Sequence, residues 1–135
     1  GILSCGGGYG GKLVLTSSEI AFTLLMLCLG FTNKSEICPI SNYKLRVFDN
    51  WDDYPIRKFL NKGIRCTIST DDPFSFGNCL NDEYKYLVRY LGFSAPEIAG
   101  IARTGFHTAD LQEYQKTEWI KRIDHLLSLE KENRL

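Results

Sequence analysis

Ile64-Arg65-Cys66-Thr67-Ile68-Ser69-Thr70-Asp71-Asp72-Pro73 is the stretch on which the fold turns. Ile64 to Thr70 is rich in β-branched residues, which predicts a strand, and Asp71-Asp72-Pro73 ends it. Ahead of it, Pro55 is placed to start a helix with Ile56, Phe59 and Leu60 on one face and Gly63 as its stop. Further upstream, Glu36-Ile37-Cys38-Pro39-Ile40-Ser41 reads as a short buried strand running into a turn. Strand, helix and strand in that order make a βαβ unit with parallel strands. The class is α/β.

Downstream of Pro73 the punctuation is helical. A helix is expected from about Asn81, with Tyr84, Leu87, Val88 and Leu91 on one stripe and Gly92 closing it. Ser94 and Glu97 have the spacing of a capping box for a further helix carrying Ile98, Ile101 and Ala102. The last helix is expected from about Leu111, turning Ile120, Ile123 and Leu127 toward the core.

Upstream, residues 1–35 read differently from residues 36–135. Cys5-Gly6-Gly7-Gly8-Tyr9-Gly10-Gly11-Lys12 is a glycine-rich leader, and Ser17-Ser18-Glu19 can begin a short apolar helix ending near Gly30. Gly6 to Lys12 nearly satisfies a phosphate loop. That mechanism needs a preceding strand and a Ser or Thr after the lysine, where this chain has Leu13. The run Ile20–Phe31 is interrupted by Thr23 and Gly30 and is too short to cross a bilayer unaided.

The 135 residues suit one ordinary domain, and 44% hydrophobic residues can build a core. Sixteen basic side chains balance sixteen acidic ones, so the chain carries no electrostatic footprint for nucleic acid or an anionic membrane. Five cysteines, without a CxxC pair, argue against a secreted disulfide framework and for a reducing, cytoplasmic setting.

In parallel α/β folds, reactive groups gather at the carboxyl ends of the strands. Ser41-Asn42 and Asp71-Asp72 are the two places that qualify. Adjacent carboxylates at the mouth of a buried sheet repel one another unless a cation or a proton offsets the charge. Pro73 breaks the strand and lets both turn toward one pocket. The plainer reading stands beside this: Asp72 before Pro73 is also an ordinary helix N-cap. His107 and His125, the only two histidines, fall in the C-terminal helical region, His107 beyond the Ile98–Ala102 pattern. They form no HxH or HExxH spacing, and a zinc site normally takes three or more protein ligands.

Ile37-Cys38-Pro39-Ile40-Ser41-Asn42, Pro55 to Leu60 with Gly63, Ser69-Thr70-Asp71-Asp72-Pro73 with Phe76-Gly77, Asp82-Glu83-Tyr84 and Ile101-Ala102-Arg103 together resemble the C-terminal part of the adenosine/adenine deaminase family. The likeness covers roughly the last hundred residues, to about residue 125. It implies a TIM-type (β/α)₈ barrel of the metal-dependent hydrolase superfamily. This chain would supply its last two strands and terminal helices, an incomplete barrel whose open edges invite association.

The family reaction is the zinc-dependent hydrolytic deamination of a 6-aminopurine, adenosine to inosine in purine salvage or, in a sister branch, adenine. By this resemblance Asp71 is a zinc ligand, and Asp72 contacts N7 of a purine nucleoside or base. The family also needs an upstream His-x-His pair, a third histidine ligand, a glutamate and a histidine beside the attacking water. Gly1 to Ser35 contains no histidine, and its lone acid is Glu19. Thr104 stands where the family usually has asparagine after Ala-Arg. The expectation is therefore a truncated or misassembled copy whose first 35 residues have a different origin. It would have no complete catalytic set, no retained zinc and no deaminase activity of its own.

Overall fold

A computed structural model describes residues 34–133. The glycine-rich leader, the Gly6–Lys12 motif and the apolar run to Phe31 lie outside the described residues. Strand β1 is Lys34–Ile37 and β2 is Arg65–Ile68, and between them come helix α1 (Pro39–Lys44), a single 3₁₀ turn at Trp51–Asp53 and helix α2 (Ile56–Asn61). After β2 the chain is helical: α3 (Pro73–Phe76), α4 (Leu80–Leu91), α5 (Ala95–Thr108) and α6 (Glu113–Glu132). The strands pair in parallel, with Lys34 opposite Arg65 and Ile37 opposite Ile68. This is the expected βαβ unit.

The first strand ends sooner than its sequence suggests. Residues 39–41 are helical, not strand or turn. Pro39 fixes its own φ near the helical value and has no N–H to leave unpaired, so it starts α1 one residue after the ladder ends. Ser41 and Asn42 are thereby buried inside a helix. Cys38, buried between strand and helix, is the N-cap of α1. Cys66 and Cys79 are free.

Ile37, Tyr54, Ile56, Phe59, Ile64, Cys66, Leu87, Phe93 and Ile101 form the core between the strands, α2, α4 and α5. Enclosing each large apolar side chain contributes about 1.5–3 kcal/mol. Arg57 joins three of these elements. Its Nε and Nη2 donate to Leu91 O at 3.1 and 2.8 Å, its Nη1 donates to Glu97 Oε1 at 2.8 Å, and its guanidinium lies 4.1 Å over the Phe93 ring. The Glu97 carboxylate also accepts from Ser94 N at 2.8 Å, so the expected capping box is formed.

Helix α4 begins one residue before Asn81, and its inward stripe differs from the one expected. Leu87 is fully enclosed and Tyr84 and Leu91 are half-buried, but Val88 is half exposed. The core face is turned toward Glu83 and Leu87 instead. Helix α5 runs on through His107, past the apolar pattern that marked it. In α6 no residue is buried; Ile120, Ile123 and Leu127 are only half covered. It packs on α5, with Phe106 stacked on Trp119 at 5.5 Å and Arg103 Nε donating to Asp124 Oδ1 at 2.8 Å. Among the described residues no helix is long and apolar enough to cross a membrane.

Candidate active site

The carboxyl ends of β1 and β2 lie side by side because the strands are parallel and in register. At this end the structure joins the two places that the sequence singles out. Ser41, buried in α1, donates through Oγ to Asp71 Oδ2 at 2.7 Å. Asp71 has φ +59°, in the left-handed region that aspartate tolerates better than most residues. That reversal takes the chain out of the strand direction immediately after Thr70. Asn42, the next residue of α1, donates through Nδ2 to Tyr54 Oη at 2.9 Å, and burial pushes the Tyr54 hydroxyl pKa well above its ordinary value.

Asp72 takes other partners. Its Oδ1 accepts from Phe74 N and Ser75 N, each at 3.1 Å, and its Oδ2 accepts from the Ser75 hydroxyl. It is the N-cap of α3, and the Ser75 hydroxyl bond comes first in holding its pKa below the ordinary value. The carboxyl group is exposed, so one oxygen edge can still meet a ligand. The cap and the site are thus compatible, while Asp71 is held by Ser41 rather than left free.

Sequence reasoning passed over the third carboxylate of this region. Glu83 is fully enclosed. Its Oε2 accepts from Ile40 N at 2.9 Å and its Oε1 accepts from Asn78 Nδ2 at 2.5 Å. Burial pushes its pKa up to about 7, against the pull of the Ile40 and Asn78 bonds. A signal was present: Glu83 lies four residues before Leu87, on the same helical face as that core residue.

The described residues do not make a zinc site on their own. Among them no three His, Cys, Asp or Glu side chains group to hold a metal ion. Asp71 offers one carboxylate, and His107 and His125 are exposed on α5 and α6.

A parallel strand pair, acidic residues at the carboxyl end of β2 and helices following each strand are consistent with part of a (β/α)₈ barrel. The adenosine deaminase family is matched over residues 30–126, and the chain belongs to that family. It is 38% identical over 87 residues to adenine deaminase from Wolinella succinogenes, covering 64% of this chain and 26% of that protein. It is 34% identical over 92 residues to adenine deaminase from Cupriavidus taiwanensis, covering 68% of this chain and 26% of that one. The crystal structure of adenine deaminase from Arthrobacter aurescens matches with a TM-score of 0.67 and 28% identity, over 70% of this chain and 29% of that chain. The chain therefore spans about a quarter of the length of these relatives.

Proposed function

We propose that residues 34–126 are the carboxylate-bearing segment of a hydrolytic deaminase acting on a 6-aminopurine. The observation that carries this reading is the Ser41–Asp71 bond, which fixes one carboxylate at the paired strand ends where barrel hydrolases do their chemistry. Asp71 would contribute one ligand toward a metal centre completed by groups outside the described residues. Asp72, exposed beside it and already held by its cap, would meet the purine ring. Adenine is the favoured substrate over adenosine, since the relatives above are named adenine deaminases.

The described residues hold no complete ligand set, and the chain by itself is expected to turn over neither purine. The test is a chimera in which residues 34–126 replace the matching segment of the Wolinella succinogenes adenine deaminase. Loss of purine absorbance should appear with adenine and be far slower with adenosine, and Asp71→Asn should abolish it. A folded chimera inert toward both purines, or one still active with D71N, would overturn the reading.

A further inference from the structure

Glu83 is a fully enclosed carboxylate that neither Asp71 nor Asp72 touches through a hydrogen bond described above. Both of its partners belong to the site's two approaches. Ile40, which donates its N–H to Oε2, immediately precedes Ser41. Asn78, which donates to Oε1, also reaches Thr70 O at 3.5 Å, and Thr70 immediately precedes Asp71. The two residues joined by the 2.7 Å Ser41–Asp71 bond are therefore each tethered, one position upstream, to one side chain of α4. A buried carboxylate is costly to desolvate, and an apolar residue of similar volume is often no worse for stability. Glu83 sits beside Leu87 on the core face, where packing alone favours such a residue.

We propose that Glu83 is a positioning residue: it sets the spacing between the carboxyl ends of β1 and β2 and thereby holds the Asp71 carboxylate against Ser41. Its relevance to catalysis rests on the reading of Asp71 given under the proposed function. The geometric claim does not.

Asn78 Oδ1 supplies the means to separate this role from core filling. It is the one buried side-chain polar atom without a partner among the described residues. In Glu83→Gln, the amide oxygen still accepts from Ile40 N, and its N–H can donate to Asn78 Oδ1 once the Asn78 amide turns over. The Ile40 tether survives, but the turned-over Asn78 sets Oδ1 in place of Nδ2 against Thr70 O, so the tether to β2 is lost. In Glu83→Leu, the volume is filled but both acceptors are gone.

The experiment is NMR on the full 135-residue chain, following amide exchange at Ile40 and the side-chain carboxyl ¹³C resonance of Asp71. Ser41→Ala gives the resonance of Asp71 without its hydroxyl partner. E83Q should leave Ile40 exchange slow and move the Asp71 resonance toward its S41A position, since only the β2 tether is cut. E83L should speed Ile40 exchange at least about tenfold, the loss of roughly one hydrogen bond, and move the Asp71 resonance to its S41A position. Should E83L fail to fold, Asn78→Ser cuts the β2 tether alone: Asp71 should shift while Ile40 exchange stays slow. An Asp71 resonance unchanged in E83L, or in N78S where E83L does not fold, would reduce Glu83 to a core residue and overturn the proposal. Failure of the chimera assay would remove the deaminase reading and leave this result standing.

Discussion

Ser41 Oγ and Asp71 Oδ2 meet at 2.7 Å across 30 residues of chain, joining the helix that follows β1 to the turn that follows β2. Neither residue could do this from a continuing strand. Pro39 converts the end of β1 into α1 and brings Ser41 inward, while the left-handed backbone of Asp71 turns the second chain away from the sheet. The bond is the product of two chain reversals at the same end of a parallel pair.

Ser41→Ala removes that donor and leaves a carboxylate oxygen of Asp71 without its protein partner. Hydrogen bonds to charged groups contribute about 1.5–3 kcal/mol, and a partly exposed acceptor can recover some of this from water. Unfolding in urea should show a stability lower by about 1–2 kcal/mol, read as a lower midpoint at constant slope. An unchanged midpoint would mean that the two loops are held together by other contacts.

Glu83 makes stability depend on pH in an unusual direction for an acid. Its folded pKa is raised to about 7 from 4.5, so between those values the native chain holds a proton that the unfolded chain has released. Stability from this group is fully present below about pH 4.5, falls as pH rises toward 7 and is level above it. One pKa unit corresponds to about 1.4 kcal/mol, so the total change is a few kcal/mol. Urea midpoints from about pH 4 to 8 should fall on this account in the parent chain, and the Glu83 contribution should vanish in Glu83→Gln. A difference between the two that stays constant over that range would remove the argument.

Much of the fold is legible in the residues. Pro55, Gly63, the β-branched run at Ile64 and the Ser94–Glu97 box all act as their local chemistry dictates, because each signal is short-range. The resemblance carried by Cys38-Pro39-Ile40-Ser41-Asn42 and Ser69-Thr70-Asp71-Asp72-Pro73 pointed to the family the chain belongs to. What was hidden depends on residues far apart in the chain. Val88 satisfies a helical stripe as well as Glu83 breaks one, and only packing against β2 and α1 decides that the carboxylate faces inward. The Ser41–Asp71 bond likewise needs the register of the two strands, which no local pattern states.

Gly92 ends α4 with φ +62° and no neighbour within 4 Å of where a Cβ would stand. Its N–H bonds to Val88 O and that of Phe93 bonds to Leu87 O, each at 3.2 Å, which closes the helix and sends Phe93 into the core. Gly92→Ala meets no clash, only the cost of a left-handed backbone for an L side chain. The expected loss is about 1 kcal/mol in urea unfolding, with the helical circular-dichroism signal retained. A neutral substitution would show that this cap relaxes without penalty.

Asp72 carries two roles that substitution can separate. The amide introduced by Asp72→Asn keeps an oxygen that accepts from Phe74 N and Ser75 N, since asparagine caps helices about as well as aspartate. Asp72→Ala removes the cap. The amide resonances of Phe74 and Ser75 should move little in D72N and strongly in D72A, while both lower the activity of the chimera. Equal amide shifts in the two variants would show that charge, not capping, holds α3.

Zinc should not be retained at one ion per chain. A protein zinc site takes three or more ligands from His, Cys and carboxylate, and tight binding needs them converging on one point. Asp71 offers a single carboxylate that Ser41 already engages, and no triad of such groups exists among the described residues. His107 and His125 stand exposed on different helices, and residues 1–33 contribute no histidine. Hard two-carboxylate surroundings such as Asp71 and Asp72 favour cations like magnesium over zinc. After equilibrium dialysis against buffered zinc, elemental analysis should find well under one zinc per chain, and Asp71→Asn should not change that value. Stoichiometric zinc that survives D71N would mean that His107, His125 or a cysteine holds the ion. Stoichiometric zinc lost in D71N would mean that the chain assembles its own metal centre around Asp71.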